Sequence, residues 1–168
     1  YGELLKDIMG FIRQRKHENL FLHENGLLHA NGTDKAITWM NSTVNGRPVI
    51  PRTGYIVEFN ALWYNALRFV ADLVREGGDA VLADELDAQA EVTGKSFVEV
   101  FRNEYGYLLD YVDGNMMDWS VRPNMIFTVA FDYSPLDRGQ KKQVLDIVTK
   151  ELLTPKGIRT LSPKSHGY

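Results

Sequence analysis

Apolar residues recur every three to four positions over much of this chain, a spacing that predicts amphipathic helices. Residues 2–16 carry one narrow stripe of this kind. Residues 58–76 carry a broader one, formed by Phe59, Leu62, Trp63, Ala66, Phe69, Val70, Leu73 and Val74. Gly77-Gly78 follow directly and are expected to end that second helix, because glycine readily adopts the left-handed conformation found at helix ends.

Three further helical regions are predicted in the second half of the chain. Residues 79–103 form either one helix interrupted at Gly94 or two consecutive helices. Pro123 suits the first turn of a short helix over 124–131, since proline lacks the N–H that a first turn leaves unpaired. A last helix is predicted over about 136–153, where the apolar spacing returns.

The remaining segments lack a helical period. Residues 20–30 predict a β-hairpin with its turn at Asn25-Gly26, because both residues tolerate positive φ. Residues 31–56 are rich in glycine and proline and are interpreted as a long, ordered loop. Residues 105–111 read as a short extended piece, and a polar loop then runs to Arg122. The predicted fold class is therefore all-α, with the single short hairpin as its exception.

Composition narrows the class of protein. The chain has 168 residues, of which 44% are hydrophobic and 24% charged, with a net charge of −3 and no cysteine. This acidic balance argues against nucleic acid as the main partner, because phosphate binding needs a basic face. The lack of cysteine excludes disulfides and thiolate sites, and no apolar run is long enough for a membrane helix.

Stacked helical hairpins, with their loops gathered at one end, would explain why long helices alternate with aromatic-bearing loops. Five or six such helices are too few to close a ring, and several would expose an apolar face. The sequence therefore favours a single partial domain over residues 1–168, an interior portion of a larger helical ring. Its partners would be the remainder of that ring, or a second copy of the chain bound through the exposed apolar helix faces.

The best candidate site lies where the loop over 31–56 meets the helix over 58–76. This stretch brings together aromatic rings, amides, a carboxylate and a guanidinium, on Trp39, Asn41, Arg52, Glu58, Asn60, Trp63 and Tyr64. Such sets bind sugars, because ring faces stack on the C–H face of a pyranose and planar polar groups bind its hydroxyls in pairs. We therefore expect these side chains to contact a sugar.

Each of these residues also has a structural interpretation. Glu58 contacts substrate, or pairs with Arg52 at the helix N-terminus, or, as a third option, acts as a catalytic acid. Asn41 binds a sugar hydroxyl or fixes a turn. Trp39 stacks on a sugar or packs in the core, and Trp63 has the helical spacing of a core residue as well as the chemistry of a sugar-stacking one.

Four more residues complete the candidates. Asn60 and Tyr64 are four positions apart, so they share a helix face and could line the site together. Trp119 is either a sugar subsite or a surface aromatic. Arg122 either binds hydroxyls or anchors its loop.

No metal or cofactor is expected. Asp110, Asp113 and Asp118 cluster in one polar segment, but they lack the ligand pattern of a calcium loop. His23 and His29 lack the further ligands that zinc needs. The chain also has no phosphate-binding glycine motif and no nucleophile elbow for a serine hydrolase.

Four segments resemble, in order and at similar spacing, signatures of the glycogen debranching enzymes in their amylo-α-1,6-glucosidase part. They are Thr38-Trp39-Met40, Pro51-Arg52-Thr53-Gly54 with Val57–Tyr64, Arg122-Pro123-Asn124 and Leu152–Pro163. The resemblance implies part of an (α/α)6 barrel, the toroid of the six-hairpin glycosidases. It also implies a cytoplasmic enzyme of glycogen breakdown, which hydrolyses α-1,6 branch points of glycogen or limit dextrin with inversion and places Asn124 among the substrate-binding residues.

The chain departs from that pattern at Asn41, which stands where the family has the aspartate expected to be the general acid. An amide has no ionisable proton to give to the leaving oxygen. The family's second carboxylate belongs to a segment that would follow the end of this chain. The chain alone is therefore expected to be inactive. Two alternatives stay open: a non-catalytic α-glucan-binding domain, or another six-hairpin glycosidase, trehalase-like or glucoamylase-like.

Overall fold

A computed structural model of the chain describes residues 2–168, so Tyr1, the first residue of the predicted 1–168 domain, lies outside the described residues. The described part contains five α-helices and one 3-10 turn, namely α1 Gly2–Arg13, α2 Val57–Glu76, α3 Ala80–Phe101, the 3-10 turn Pro123–Ile126, α4 Phe127–Ala130 and α5 Arg138–Glu151. It also contains nine short strands, namely β1 Leu20–Leu22, β2 Leu28–Ala30, β3 Thr43–Val44, β4 Arg47–Pro48, β5 Gly54–Ile56, β6 Tyr111–Asp113, β7 Met116–Met117, β8 Leu153–Thr154 and β9 Gly157–Ile158.

The helices α2 and α3 form an antiparallel hairpin. Gly78, with φ of +89°, turns the chain, and Asp79 caps α3 by accepting a hydrogen bond from the Leu82 amide at 3.2 Å. The helix α3 is continuous, so the two-helix alternative for residues 79–103 is wrong. Gly94 lies inside it because Tyr64 of α2 packs there, and a Cβ at Gly94 would come within 3.0 Å of the Tyr64 ring.

The prediction of an all-α fold is wrong, because the helices pack beside a five-stranded antiparallel sheet in the order β1-β2-β5-β6-β7. The hairpin over 20–30 is confirmed as β1 and β2, but the supposed loop over 31–56 contains β3, β4 and β5. Strands of two or three residues are too short to show an alternating pattern. Gly54, with φ of +87°, lets β5 lie directly against the Val112 carbonyl of β6.

The apolar stripes are only partly buried. On α1, Met9 is buried while Leu4, Ile8 and Phe11 stay exposed. On α2 the expected face is rotated, because Leu62 and Phe69 are exposed and the buried positions are Val57, Glu58, Asn60, Ala61, Trp63, Leu67, Val70, Ala71 and Val74. The buried side chains form two clusters, one between α1, α2 and α3 and one around the sheet, the end of α3 and α5.

A helical hairpin is the unit from which an (α/α)6 barrel is built, but the described residues do not form a ring. The barrel, the remainder of it as a partner and the dimer through exposed apolar helix faces therefore stay predictions. None of the helices in residues 2–168 combines the length and the apolar composition that crossing a membrane requires.

Candidate functional site

A buried ion pair joins the end of the 31–56 segment to the start of α2. Arg52 and Glu58 contact each other through both guanidinium nitrogens and both carboxylate oxygens, with 2.7 Å between Nη2 and Oε2. Their side chains are 1% and 4% exposed. Two parallel charge-assisted bonds fix the two groups in one plane. The structure thus realises the ion pair that the sequence allowed for Glu58.

Asp110, directly before β6, completes this charge cluster. Its Oδ2 lies 2.8 Å from Nε of Arg52, an ion-pair distance at an angle too wide for an aligned hydrogen bond. Its backbone oxygen accepts a hydrogen bond from Arg52 Nη2 at 3.2 Å. Burial raises the pKa of Asp110 to about 6, and Glu58 raises it further while Arg52 and the hydrogen bond from Asn124 oppose the rise.

The net charge of the cluster explains the pKa of its arginine. Burial lowers the pKa of Arg52, but the hydrogen bonds and charges of Glu58 and Asp110 outweigh that effect, and the pKa is raised overall. Two carboxylates thus face one guanidinium inside the protein. A second cation, Arg122, lies behind them with its Nε 3.8 Å from Asp110 Oδ2.

Trp39 is tied to this cluster through Asn124. The Trp39 indole N–H donates to Oδ1 of Asn124 at 2.8 Å, and Nδ2 of Asn124 donates to Oδ1 of Asp110 at 2.7 Å. Asn124 itself is 1% exposed, whereas Trp39 is 51% exposed. The ring is therefore held at its nitrogen edge while much of its surface faces solvent.

The exposed side of Trp39 borders a cavity of about 240 Å³. Asn41 and Arg122 also line this cavity, together with Met40, Ser42, Val49, Ile50 and Thr160. Arg122 donates to the Thr160 carbonyl at 3.5 Å, and its Nε has no hydrogen-bond partner among residues 2–168. An aromatic ring, an amide and a guanidinium thus converge on one space, and within the described part of the chain none of the lining residues is a carboxylate.

The structure separates the other candidates from this cavity. Trp63 is buried and donates from Nε1 to the Gly26 carbonyl at 3.2 Å. Asn60 is buried too, and it binds the Leu28 amide at 2.7 Å and the Leu28 carbonyl at 3.0 Å. Both side chains fasten the β1–β2 hairpin to α2, a structural task.

Tyr64 and Trp119 face two further cavities. Tyr64 lines one with Gly94, and burial raises the pKa of its hydroxyl. Trp119 lines the other with Tyr105 and Tyr107. The predicted set therefore divides into cavity residues (Trp39, Asn41, Arg122), a supporting network (Arg52, Glu58, Asn124) and residues elsewhere.

Asp110 is the residue that the sequence analysis did not single out. It was grouped with Asp113 and Asp118, but the three carboxylates do not converge, and within residues 2–168 no group of three or more histidines and acids is placed to hold a metal. A usable signal existed, because Asp110 directly follows the buried pair Leu108-Leu109. An acid at the end of an apolar run is a candidate for burial.

Comparison with known proteins agrees with this arrangement. A family model described as amylo-alpha-1,6-glucosidase matches residues 3–168. No curated protein matches the chain. Since the matched range covers nearly the whole sequence, including the segments that carry Trp39, Arg52, Asp110 and Arg122, the chain belongs to the amylo-alpha-1,6-glucosidase family.

Proposed function

We propose that this chain supplies the glucose-binding part of a glycogen-debranching-type glycoside hydrolase, whose intact barrel hydrolyses α-1,6 branch points of glycogen and limit dextrin with inversion. One observation carries the proposal. Trp39 is pinned at its indole nitrogen and borders a cavity that Asn41 and Arg122 also line. The ring offers a stacking face for a pyranose, and the amide and guanidinium offer donors to its hydroxyls.

The chain alone binds the sugar but does not cleave it. Inverting hydrolysis requires two carboxyl groups about 6.5–9.5 Å apart, one to protonate the leaving oxygen and one to activate water. Asn41 takes the acid's position by resemblance, and the nearest carboxylate of the network, Asp110, is 1% exposed behind Arg122. The second carboxylate would come from the remainder of the barrel.

A second candidate function is α-glucan binding without hydrolysis in the intact protein as well. The lining of the Trp39 cavity favours it, because among the described residues it contains polar donors and no acid. The two functions share the binding step and differ only in whether the rest of the protein adds catalytic groups.

The test measures glucan binding and glucose release by the same protein. Calorimetry with a maltooligosaccharide that carries one α-1,6-linked glucose should show binding, and Trp39→Ala should weaken it by about tenfold, the value of one stacking contact. Tyr168→Ala, a change at an exposed aromatic that does not line the cavity, is the matched control. Equal affinities of the wild-type chain and Trp39→Ala would contradict the proposed site.

Glucose release separates the two functions. The chain alone should release none from limit dextrin, whereas the full-length protein should release it if the first function holds. Binding by the full-length protein without glucose release at any pH would favour the second.

A further inference from the structure

A larger cavity, of about 660 Å³, lies next to the Trp39 cavity. Val121 and Ser162 line it, and their near neighbours Arg122 and Thr160 line the Trp39 cavity. The two segments are joined to each other, because the Ser162 amide donates to the Val121 carbonyl at 3.0 Å and Arg122 donates to the Thr160 carbonyl at 3.5 Å. One wall, two chain segments wide, therefore borders both cavities.

Three aromatic rings form one side of the larger cavity. Tyr105 is 71% exposed and Trp119 is 43% exposed. The rings of Tyr105 and Tyr107 lie within 16° of parallel, with centroids 6.4 Å apart, and Trp119 meets Tyr105 edge-on with centroids 6.2 Å apart. This cluster, called here the tyrosine platform, keeps large apolar faces in water, which has an unfavourable hydration free energy that a ligand would remove.

The tyrosine platform is held in place by hydrogen bonds that do not involve the ring faces. Oδ1 of Asn103 accepts from the amides of Tyr105 at 3.0 Å and Tyr107 at 3.2 Å. The Tyr107 hydroxyl donates to the Trp119 carbonyl at 3.1 Å. The rings are thus positioned before any ligand arrives, so that binding loses little conformational entropy.

The polar rim selects an uncharged ligand. It carries acids and bases side by side: Asp118, and Lys164 paired with Glu151 at 2.8 Å. A rim of mixed sign attracts neither an anion nor a cation strongly, but it offers both acceptors and donors to hydroxyl groups. A neutral molecule with apolar faces and many hydroxyls fits both the rim and the tyrosine platform.

We propose that this cavity is a second carbohydrate subsite, which binds the linear limb of a branched α-glucan while the Trp39 cavity takes the single α-1,6-linked glucose. The inference rests on the proposed function for the second half of this statement. The shared wall places the two subsites next to each other, as the two limbs of a branch point require. Successive glucose units of the linear limb stack on the tyrosine platform and hydrogen-bond to the rim.

The test uses the chain with maltoheptaose, a linear probe, and isomaltose, a probe with only the α-1,6 linkage. Tyr105→Ala should weaken maltoheptaose binding by about tenfold and leave isomaltose binding unchanged. Tyr105→Phe keeps the ring and should bind maltoheptaose within about twofold of the wild type. Because Tyr105 is largely exposed, neither variant should alter the thermal unfolding midpoint.

Each outcome has a distinct reading. Unchanged maltoheptaose affinity in Tyr105→Ala overturns the second subsite, and the proposed function stands if Trp39→Ala still weakens isomaltose binding. Weaker maltoheptaose binding in Tyr105→Ala together with unchanged isomaltose binding in Trp39→Ala overturns the glucose pocket and keeps the second subsite. Absence of binding to both probes at millimolar concentration overturns both.

Discussion

Trp39 and Asp110 are joined by a single amide, because Asn124 accepts from the Trp39 indole N–H at 2.8 Å and donates to Asp110 at 2.7 Å. The polarity of this link is fixed by Asp110. An ionised carboxylate only accepts hydrogen bonds, so it turns the NH₂ group of Asn124 toward itself and leaves the amide oxygen for the indole. A buried acid thereby sets the position of an exposed aromatic ring.

Removing this link should loosen Trp39 and weaken glucan binding. Asn124→Ala deletes the hydrogen bond to the indole and leaves the ring free to rotate, so we expect the affinity of the Trp39 cavity for isomaltose to fall by about tenfold. Steady-state tryptophan fluorescence with an iodide quencher reports the ring, and calorimetry reports binding. In a Trp39→Phe background Asn124→Ala should have no further effect on affinity, and a full additional loss there would contradict the link.

The same link should depend on pH. Below its raised pKa of about 6, Asp110 becomes a donor, and Asn124 can then turn its oxygen toward Asp110 and its NH₂ group toward the indole. Isomaltose affinity should therefore fall as the pH is lowered through about 6. The isosteric variant Asp110→Asn, which does not titrate, should lose this inflection, and an unchanged inflection in the variant would assign it to another group.

The stability of the fold should respond to Asp110 in the opposite sense. The pKa of a carboxyl in the unfolded chain is about 4, so between pH of about 4 and about 6 the folded chain binds a proton that the unfolded chain has released. The stability contributed by this proton is present at low pH and is lost as the pH rises through about 6. Urea unfolding of the wild type at pH 5 and pH 7, relative to Asp110→Asn, should reveal it as a difference in slope.

The buried ion pair should be worth far more than an exposed one. Glu58→Gln leaves Arg52 charged and only partly compensated inside the protein, and breaking a buried pair costs about 3–5 kcal/mol. The matched control is Asp146→Asn, which breaks the exposed pair with Lys142, and such pairs are worth about 1 kcal/mol or less. Both values follow from urea unfolding. Similar losses in the two variants would mean that the interior around Arg52 is reached by water.

Asn41→Asp tests the position of the missing acid. The change puts a carboxyl group into the Trp39 cavity beside Arg122. In the full-length protein it should raise glucose release from limit dextrin by about 100-fold or more, the usual effect of general acid catalysis. Asn41→Ala is the control and should give no rise. The chain alone should stay inactive with either change, and turnover by it would contradict our account of the second carboxylate.

The sequence predicted those features that depend on local chemistry. The second helix was expected over 58–76 and is observed over Val57–Glu76, and the last was expected over about 136–153 and is observed over Arg138–Glu151. Stripes, caps and terminal glycines are all visible within one turn of the chain. The capping box of Asp137 with Gln140, which starts α5, is an example.

The features that the sequence did not predict depend on contacts between distant segments. The pairing of β5 with β6 joins Tyr55 to Val112, and strands this short carry no periodic signal of their own. The burial of Asp110 follows from that pairing, since Arg52 arrives with one strand and Asp110 with the other. The separation of Trp39 from Trp119 into different cavities is likewise a property of the folded chain, because as loop aromatics the two residues look alike.

The meeting of these two strands depends on one missing side chain. At Gly54 even a single methyl group would collide with the Val112 carbonyl and the Asp113 backbone, and the left-handed φ of +87° would strain any other residue. A bulkier residue there would push the two strands apart and pull the guanidinium of Arg52 away from the carboxylate of Asp110. The spacing of the charges beneath the sugar cavity is thus set by a hydrogen atom in the backbone, at a position that bears no charge and touches no ligand.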